Sequence, residues 1–211
     1  MPARVVSIQV GLPRTFPGDD QWTTSFFREP VATPVHLGRE SLAGDGVADR
    51  SVHGGPDKAV CVYSADNFPG WRQVLARDDV GAGAFGENFT ITGLTELDVA
   101  IGDQFQIGDA IVEVSQPRGP CWKLGRRWER PDLPKLVVAS GRSGWYFRVP
   151  REGVVAADDV ITVVERAHPE WTIARVNDVT YRSRDRGALR ELAALPALAP
   201  QWQRTVLARL G

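Results

Sequence analysis

The thiol of Cys121 is the group in this chain best placed to do chemistry. It lies within Ser115-Gln-Pro-Arg-Gly-Pro-Cys-Trp-Lys-Leu124, where two prolines and a glycine restrict the backbone that leads to it. Arg118 and Lys123 are close by in sequence, and nearby cations favour the thiolate. A thiolate fixed just after an apolar strand suits a soft metal or an electrophile better than it suits a hydrophobic core.

Two glycine-containing segments carry candidate binding groups. In Asp49–Lys58, two glycines follow His53 and can turn backbone N–H groups toward an anion, while Lys58 adds charge. In Gly81–Thr90, Asn88 offers both a donor and an acceptor to a heterocycle. Taken alone, the first segment is equally often a surface turn, and the second is more often a glycine loop that feeds a strand.

A further segment, Ser140–Arg148, supplies two arginines beside aromatic residues. The planar guanidinium groups of Arg142 and Arg148 could each bind two oxygens of a phosphate. An ordinary strand with solvated arginines and with Trp145 in the core explains the same residues equally well.

Charge is unevenly distributed along this chain, whose net charge is −1. Residues 1–113 carry 8 basic and 16 acidic side chains, whereas residues 114–151 carry 9 basic and 2 acidic ones. Positive charge is therefore concentrated around Cys121. Because the chain as a whole is not basic and has no motif of a nucleic-acid reader, a small anionic ligand explains this concentration better than nucleic acid does.

Several common kinds of site are missing from the sequence. The three histidines lack zinc-ligand spacing, and there is no P-loop or dinucleotide fingerprint. Two cysteines are too few for a Cys-ligated iron–sulfur cluster, and Cys61, in an apolar strand, is expected to be a small buried side chain. Since no signal peptide or bilayer-spanning stretch is visible, we expect a cytoplasmic protein, in which a Cys61–Cys121 disulfide is disfavoured.

The pattern of elements predicts a mainly-β barrel. The predicted strands are Arg4–Val10, Ala59–Tyr63, Asn88–Ile91, Gln104–Ile107, Ala110–Gln116 and Val160–Glu165. Gly108-Asp109 is expected to close a tight hairpin, and a helix is expected over Ser64–Arg77. Three helical patterns end the chain, over Thr172–Tyr181, Asp185–Leu195 and Pro200–Leu210. We therefore expect a barrel domain over residues 1–168 and a three-helix module over residues 169–211.

Taken together and in this order, the segments resemble the MOSC domain family, which is related to the C-terminal domain of molybdenum cofactor sulfurases, and within it the bacterial YiiM type. The resemblance covers nearly the whole chain and is carried by Leu42-Ala-Gly-Asp45, His53-Gly-Gly-Pro-Asp-Lys-Ala-Val60, Phe85-Gly-Glu-Asn88, Ile101-Gly-Asp103 and Ser115–Leu124. It implies a closed β-barrel that binds the molybdenum–pyranopterin cofactor, with Cys121 as the metal ligand and the catalytic residue. The candidates for holding the pterin and its phosphate are then His53, Lys58, Asn88, Arg118, Arg142 and Arg148.

The resemblance also implies an activity, the reduction of N-hydroxylated compounds such as N-hydroxylaminopurines and amidoximes to amines. Electrons would come from a separate flavin or iron–sulfur reductase, which agrees with the lack of an electron-transfer motif in the sequence. The resemblance further implies pyridoxal phosphate binding, as a property of the domain family in general. Two rival classes stay open: a carrier or binding module that uses Cys121 as a persulfide or ligand, and a thiol enzyme without metal.

Overall fold

The computed structural model describes residues 2–16, 22–49, 53–119 and 121–211. Its strands are β1 (Arg4–Val10), β2 (Arg14–Phe16), β3 (Trp22–Thr24), β4 (Glu29–Pro30), β5 (Val35–Leu37), β6 (Val60–Ser64), β7 (Phe89–Thr92), β8 (Gln104–Ile107), β9 (Ala110–Pro117), β10 (Trp145–Arg151), β11 (Gly153–Val155) and β12 (Thr162–Glu165). Its α-helices are α1 (Phe68–Leu75), α2 (Trp122–Arg127), α3 (Leu133–Ser140), α4 (Ile173–Tyr181), α5 (Arg186–Ala193) and α6 (Pro200–Leu207).

The main sheet has eight strands in the order β12-β8-β9-β10-β6-β7-β1-β4. It curls until β1 meets the chain that leads into β12, where Val5 N donates to Asp159 O at 3.0 Å and Ile161 N donates to Ala3 O at 2.9 Å. Neighbouring strands are antiparallel except β6 and β7, which are parallel. The predicted mainly-β, barrel-like fold with a few helices and a helical C-terminus is confirmed.

Several predicted elements are observed almost as the sequence indicates them. The hairpin between β8 and β9 turns on Gly108-Asp109, with Ile107 paired to Ala110. The helix expected over Ser64–Arg77 is shorter, because a 3-10 turn occupies Ala65–Asn67 and the helix ends where Ala76 takes a left-handed conformation, with φ of 51°. The sequence did not predict the short strands β2 to β5 and β11, nor the helices α2 and α3. It gave a strand at the position of β10 only as one of two equal explanations of Ser140–Arg148.

Three adjacent strands of the main sheet bring a row of reactive and polar side chains together. In β10, Tyr146 pairs with Cys61 of β6 on one side and with Gln116 of β9 on the other. The flanking residues Val60 and Val62 lie in the barrel core. Since side chains alternate between the two faces of a strand, Cys61 and Tyr146 point away from that core.

The helical C-terminus packs against the barrel through a shared core. A single cluster of buried apolar residues contains barrel residues together with Trp171, Ile173, Val176, Leu192, Trp202 and Val206. Backbone hydrogen bonds add to the contact, with Ala199 N donating to Ser115 O at 2.9 Å and Ile173 N donating to Val99 O at 2.8 Å. Within the described ranges, no helix combines the length and the apolar character needed to cross a membrane.

Candidate functional site

Two adjoining cavities meet on the face of the sheet that carries Tyr146. The inner cavity comprises about 680 Å³ of space and the outer one about 1780 Å³, and five residues line both: His53, Lys58, Cys121, Lys123 and Tyr146. The structure thus brings the predicted site residues His53, Lys58 and Cys121 together.

The thiol of Cys121 lies at the junction of these cavities. Cys121 follows the end of β9 and immediately precedes α2, with an extended backbone, and its carbonyl accepts the Leu124 N–H at 3.1 Å. The residue is partly buried and its thiol is free of any disulfide. Pro120, one of the two prolines expected to fix this thiol, lies outside the described residues.

Positive charge surrounds this junction. Burial, followed by the charges of Arg118, Lys58 and Lys123, lowers the pKa of His53 from its usual 6.5 to about 4, against an opposing effect of Asp49. A neutral histidine among three cations marks a positive local potential. Burial also lowers the pKa of Lys58, whose Nζ donates to Gln201 Oε1 of α6.

The guanidinium of Arg118 interacts electrostatically with Cys61, Tyr146 and Cys121 in the inner cavity. Its backbone N–H donates to Gly144 O at 3.0 Å, which fixes the start of the loop. Burial disfavours its charge, but interactions with Cys61, Tyr146 and Cys121 raise its pKa overall. No group in the described ranges accepts a hydrogen bond from this guanidinium, so its donors are available to an anion.

Cys61 is a second thiol in the inner cavity, as a free, buried cysteine. Burial raises its pKa, while a hydrogen bond with Tyr146 opposes that rise. The expectation of a small buried side chain therefore holds for Cys61, but its place in the cavity wall was missed. The available signal was its position between Val60 and Val62, because the neighbours of a core residue in a strand face the other way.

Asn88 lines the inner cavity, yet its side chain is engaged within the protein. Its Oδ1 accepts the Cys61 N–H at 3.0 Å, and its Nδ2 donates to Asp45 Oδ2 at 2.9 Å and to Gln9 O at 3.2 Å. Asp45 in turn holds Arg28 through two hydrogen bonds of 2.7 and 2.9 Å. These contacts show Asn88 as a brace for β6, and its predicted contact with the cofactor stays a prediction.

The structure does not bring Arg142 and Arg148 to either cavity. Arg142 is exposed and its guanidinium lies against Gly70 of α1. Arg148 binds Asp57 at 2.9 Å and Glu113 at 3.0 Å, so two carboxylates already neutralise it. Arg148 shares the strand face of Tyr146 but lies two residues further along β10, a step of about 7 Å.

The outer cavity has walls that sequence analysis did not anticipate. Its residues come from β3, α2 and the helical C-terminus, and its aromatic members are Trp22, Trp122, Tyr146, Tyr181 and Trp202. One signal of this role was available, since Tyr181 and Trp202 are large aromatic residues in short helices that also carry many polar side chains.

Comparison with known proteins agrees with this arrangement. The sequence model of the MOSC domain matches residues 49–162, and that of the YiiM-like 3-alpha helix domain matches residues 171–210. The chain belongs to the MOSC family. This family is associated with binding of the molybdenum cofactor.

Three relatives illustrate the likeness to other proteins that carry the MOSC domain. YflK of Bacillus subtilis (strain 168) is 38% identical over 201 residues, which are 94% of this chain and 90% of YflK. The crystal structure of YiiM from Geobacillus stearothermophilus superposes with a TM-score of 0.84 at 40% identity, and the match covers 100% of both chains. A protein of Gibberella moniliformis (strain M3125 / FGSC 7600) named "Reductase" is 36% identical over 160 residues, 74% of this chain but only 28% of that protein.

The residues of this MOSC protein suit a molybdenum–pyranopterin group. Cys121 offers a soft, accessible thiol, which is a ligand type suited to soft metal centres. Arg118 offers the donors of its guanidinium group, and Lys58 and Lys123 add positive charge for a phosphate. The donor set therefore fits the cofactor with which the family is associated.

Proposed function

We propose that this protein reduces N-hydroxylated compounds to amines while it holds the molybdenum cofactor through Cys121. The observation that carries the proposal is the position of the Cys121 thiol, where a cavity with cationic walls meets a cavity with aromatic walls. A thiolate there would bind the metal, and the cations would bind the anionic part of the cofactor. Membership of the MOSC family and a relative named "Reductase" support this class of reaction.

The reaction consumes two electrons and two protons, since R–NHOH + 2 H⁺ + 2 e⁻ gives R–NH2 + H2O. A separate flavin or iron–sulfur reductase would supply the electrons. When bound, the molybdenum cofactor supplies a two-electron redox centre with an affinity for oxygen. Cys121 fixes that centre at the junction, and Arg118 and Lys58 bind its anionic groups. Burial raises the pKa of Tyr146, which keeps a proton on its hydroxyl beside both cavities.

The test is metal and pterin analysis of protein made in a molybdenum-replete host. We expect stoichiometric molybdenum in the unaltered protein and in Cys61→Ala, and its loss in Cys121→Ala. The two cysteines form a matched pair, because both line the inner cavity and only Cys121 is partly exposed. The loaded protein, reduced with a chemical donor such as methyl viologen, should convert benzamidoxime to benzamidine.

Three other outcomes of these measurements would contradict or change the proposal. Protein that stays free of molybdenum under these conditions would rule out the proposed function. Molybdenum that binds without any reduction of N-hydroxylated compounds would favour a carrier or binding module that uses Cys121. Loss of molybdenum in Cys61→Ala as well would mean that the buried thiol is a second ligand.

A further inference from the structure

The wall of the outer cavity next to Cys121 carries an exposed tryptophan. Trp122 is the first residue of α2, is 57% exposed, and lies 5.8 Å from the ring of Trp22. Trp122 and Cys121 line the same outer cavity. An exposed indole in the wall of the cavity that holds the thiol is a surface on which a flat ligand could stack.

Another part of the cavity wall comes from the helical C-terminus. Tyr181 of α4 packs edge-on against Trp202 of α6, with ring centroids 6.2 Å apart and an interplanar angle of 88°. Gln201, which holds Lys58, and the exposed Thr205 complete this side. Aromatic residues from two separate parts of the cavity wall favour a flat aromatic ligand over a flexible aliphatic one.

The floor of the outer cavity holds a polar group that needs a partner. Gln116 is 3% exposed, and its Oε1 accepts no hydrogen bond from the described residues. Its Nε2 donates to Pro117 O at 3.2 Å. A buried acceptor left without a donor in a cavity wall is typically satisfied by water or by a ligand. An N–H group on the edge of a ligand would meet this need.

We propose that the outer cavity binds the planar aromatic part of the substrate, and that Trp122 determines specificity for an aromatic over an aliphatic compound. The helical C-terminus thereby supplies one wall of the substrate site. The inference that this ligand is the substrate rests on the proposed function. Binding of an aromatic ligand in the outer cavity does not require the cofactor.

The test compares two ligands with the same reactive group, benzamidoxime and acetamidoxime. Their dissociation constants are measured by calorimetry on the metal-free protein and on the cofactor-loaded protein. We expect benzamidoxime to bind more tightly in both forms, and Trp122→Ala to weaken its binding by roughly three- to tenfold, the value of one aromatic contact. Trp122→Phe should restore most of the affinity, and acetamidoxime should bind equally to all variants.

The matched control is Leu97→Ala, which shortens an exposed apolar side chain outside both cavities. It should leave both dissociation constants unchanged. Equal affinity of benzamidoxime for the Trp122→Ala and Leu97→Ala proteins would overturn the inference. Binding to the metal-free protein that is abolished by the cofactor would also overturn it, because the cavity would then belong to the pterin.

Failure of the inference and failure of the proposed function give different results. If molybdenum or reduction is lacking but benzamidoxime binds in a Trp122-dependent way, the aromatic site stands without the reductase. If reduction occurs and Trp122→Ala lowers kcat/KM equally for both amidoximes, the reductase stands and the aromatic site is refuted. A KM that rises for benzamidoxime alone, with kcat unchanged, supports both.

Discussion

The Asp45 carboxylate holds the Arg28 guanidinium in a two-point ion pair, with hydrogen bonds of 2.7 and 2.9 Å and with less than a tenth of either side chain exposed. Asp45 also accepts the Gly11 N–H at 3.0 Å and the Asn88 amide. Both members of the pair line the inner cavity. The pair therefore forms part of the wall of the cavity that Arg118, Lys58 and Lys123 also line.

We predict that Asp45→Asn strongly lowers the free energy of unfolding. Removing one partner of a buried pair leaves Arg28 charged and uncompensated, at a cost of about 3 to 5 kcal/mol. Urea denaturation followed by circular dichroism measures the change. The control is Asp79→Asn, which breaks the exposed pair with Arg77 and should leave the unfolding midpoint unchanged. Equal effects of the two substitutions would show that the Arg28–Asp45 pair is not stabilising.

A second prediction concerns Gly144, which precedes β10 with φ of 71°. An added methyl would collide with the Val62 carbonyl oxygen and lie 3.0 Å from Tyr63. Gly144→Ala should therefore cost at least about 2 kcal/mol of stability, from backbone strain and the collision together. Gly81→Ala is the matched control, since its methyl would meet nothing within 4 Å. Thermal unfolding of both variants measures the difference, and a Gly144→Ala protein as stable as Gly81→Ala would contradict the structure here.

A third prediction concerns Arg118 and Arg142, both of which the sequence analysis names as candidates for binding the cofactor. Arg118 lines the inner cavity, and its guanidinium has no hydrogen-bond acceptor among the described residues, whereas Arg142 lies outside both cavities. Arg118→Ala should reduce the molybdenum and pterin that copurify with the protein by at least about tenfold, the value of a charged hydrogen bond or two. Arg142→Ala should retain the wild-type content. The opposite ranking would mean that the cofactor phosphate lies near α1 and not in the inner cavity.

The sequence predicted several elements well, since their signals are local. Strand β1 was predicted with the observed bounds, and α6 begins at Pro200 as a first-turn proline indicates. Helices α2 and α3 were missed because Gly125 interrupts the first and Pro134 opens the second. Glycine and proline signal a loop by propensity, and here packing of Leu124, Leu133 and Val137 in a buried cluster overrides that propensity.

The residues of the candidate site were predicted only in part, because only local patterns can be recognised in a sequence. The segments around His53 and Cys121 are rich in glycine and proline, and each can be recognised separately. The Lys58–Gln201 contact joins residues 143 positions apart, and no local pattern encodes such a distance. Arg148 was expected to bind phosphate, and only the sheet register reveals that Asp57 and Glu113 hold it.

A fourth prediction concerns pH. Because the pKa of His53 is lowered to about 4 in the folded protein, the unfolded chain takes up this proton first as the pH falls below 6.5. His53 should therefore lower the free energy of unfolding progressively between pH 6.5 and 4, and this loss should be absent from His53→Gln. Denaturation of both proteins at several pH values in that window measures it. Inorganic phosphate bound beside His53 should move its NMR titration to higher pH, and no movement would argue against an anion at this position.

The buried apolar cluster that runs without a break from the barrel into the helical C-terminus has a consequence for how this chain tolerates change. Sequence comparison marks two segments, but Trp202 and Val206 are packed with the same residues that fill the barrel. A tail transplanted from a relative would bring side chains shaped for a different barrel. Recombination between homologues between residues 162 and 171 separates the two sides of this contact, and such chimeras should therefore be less stable than either parent.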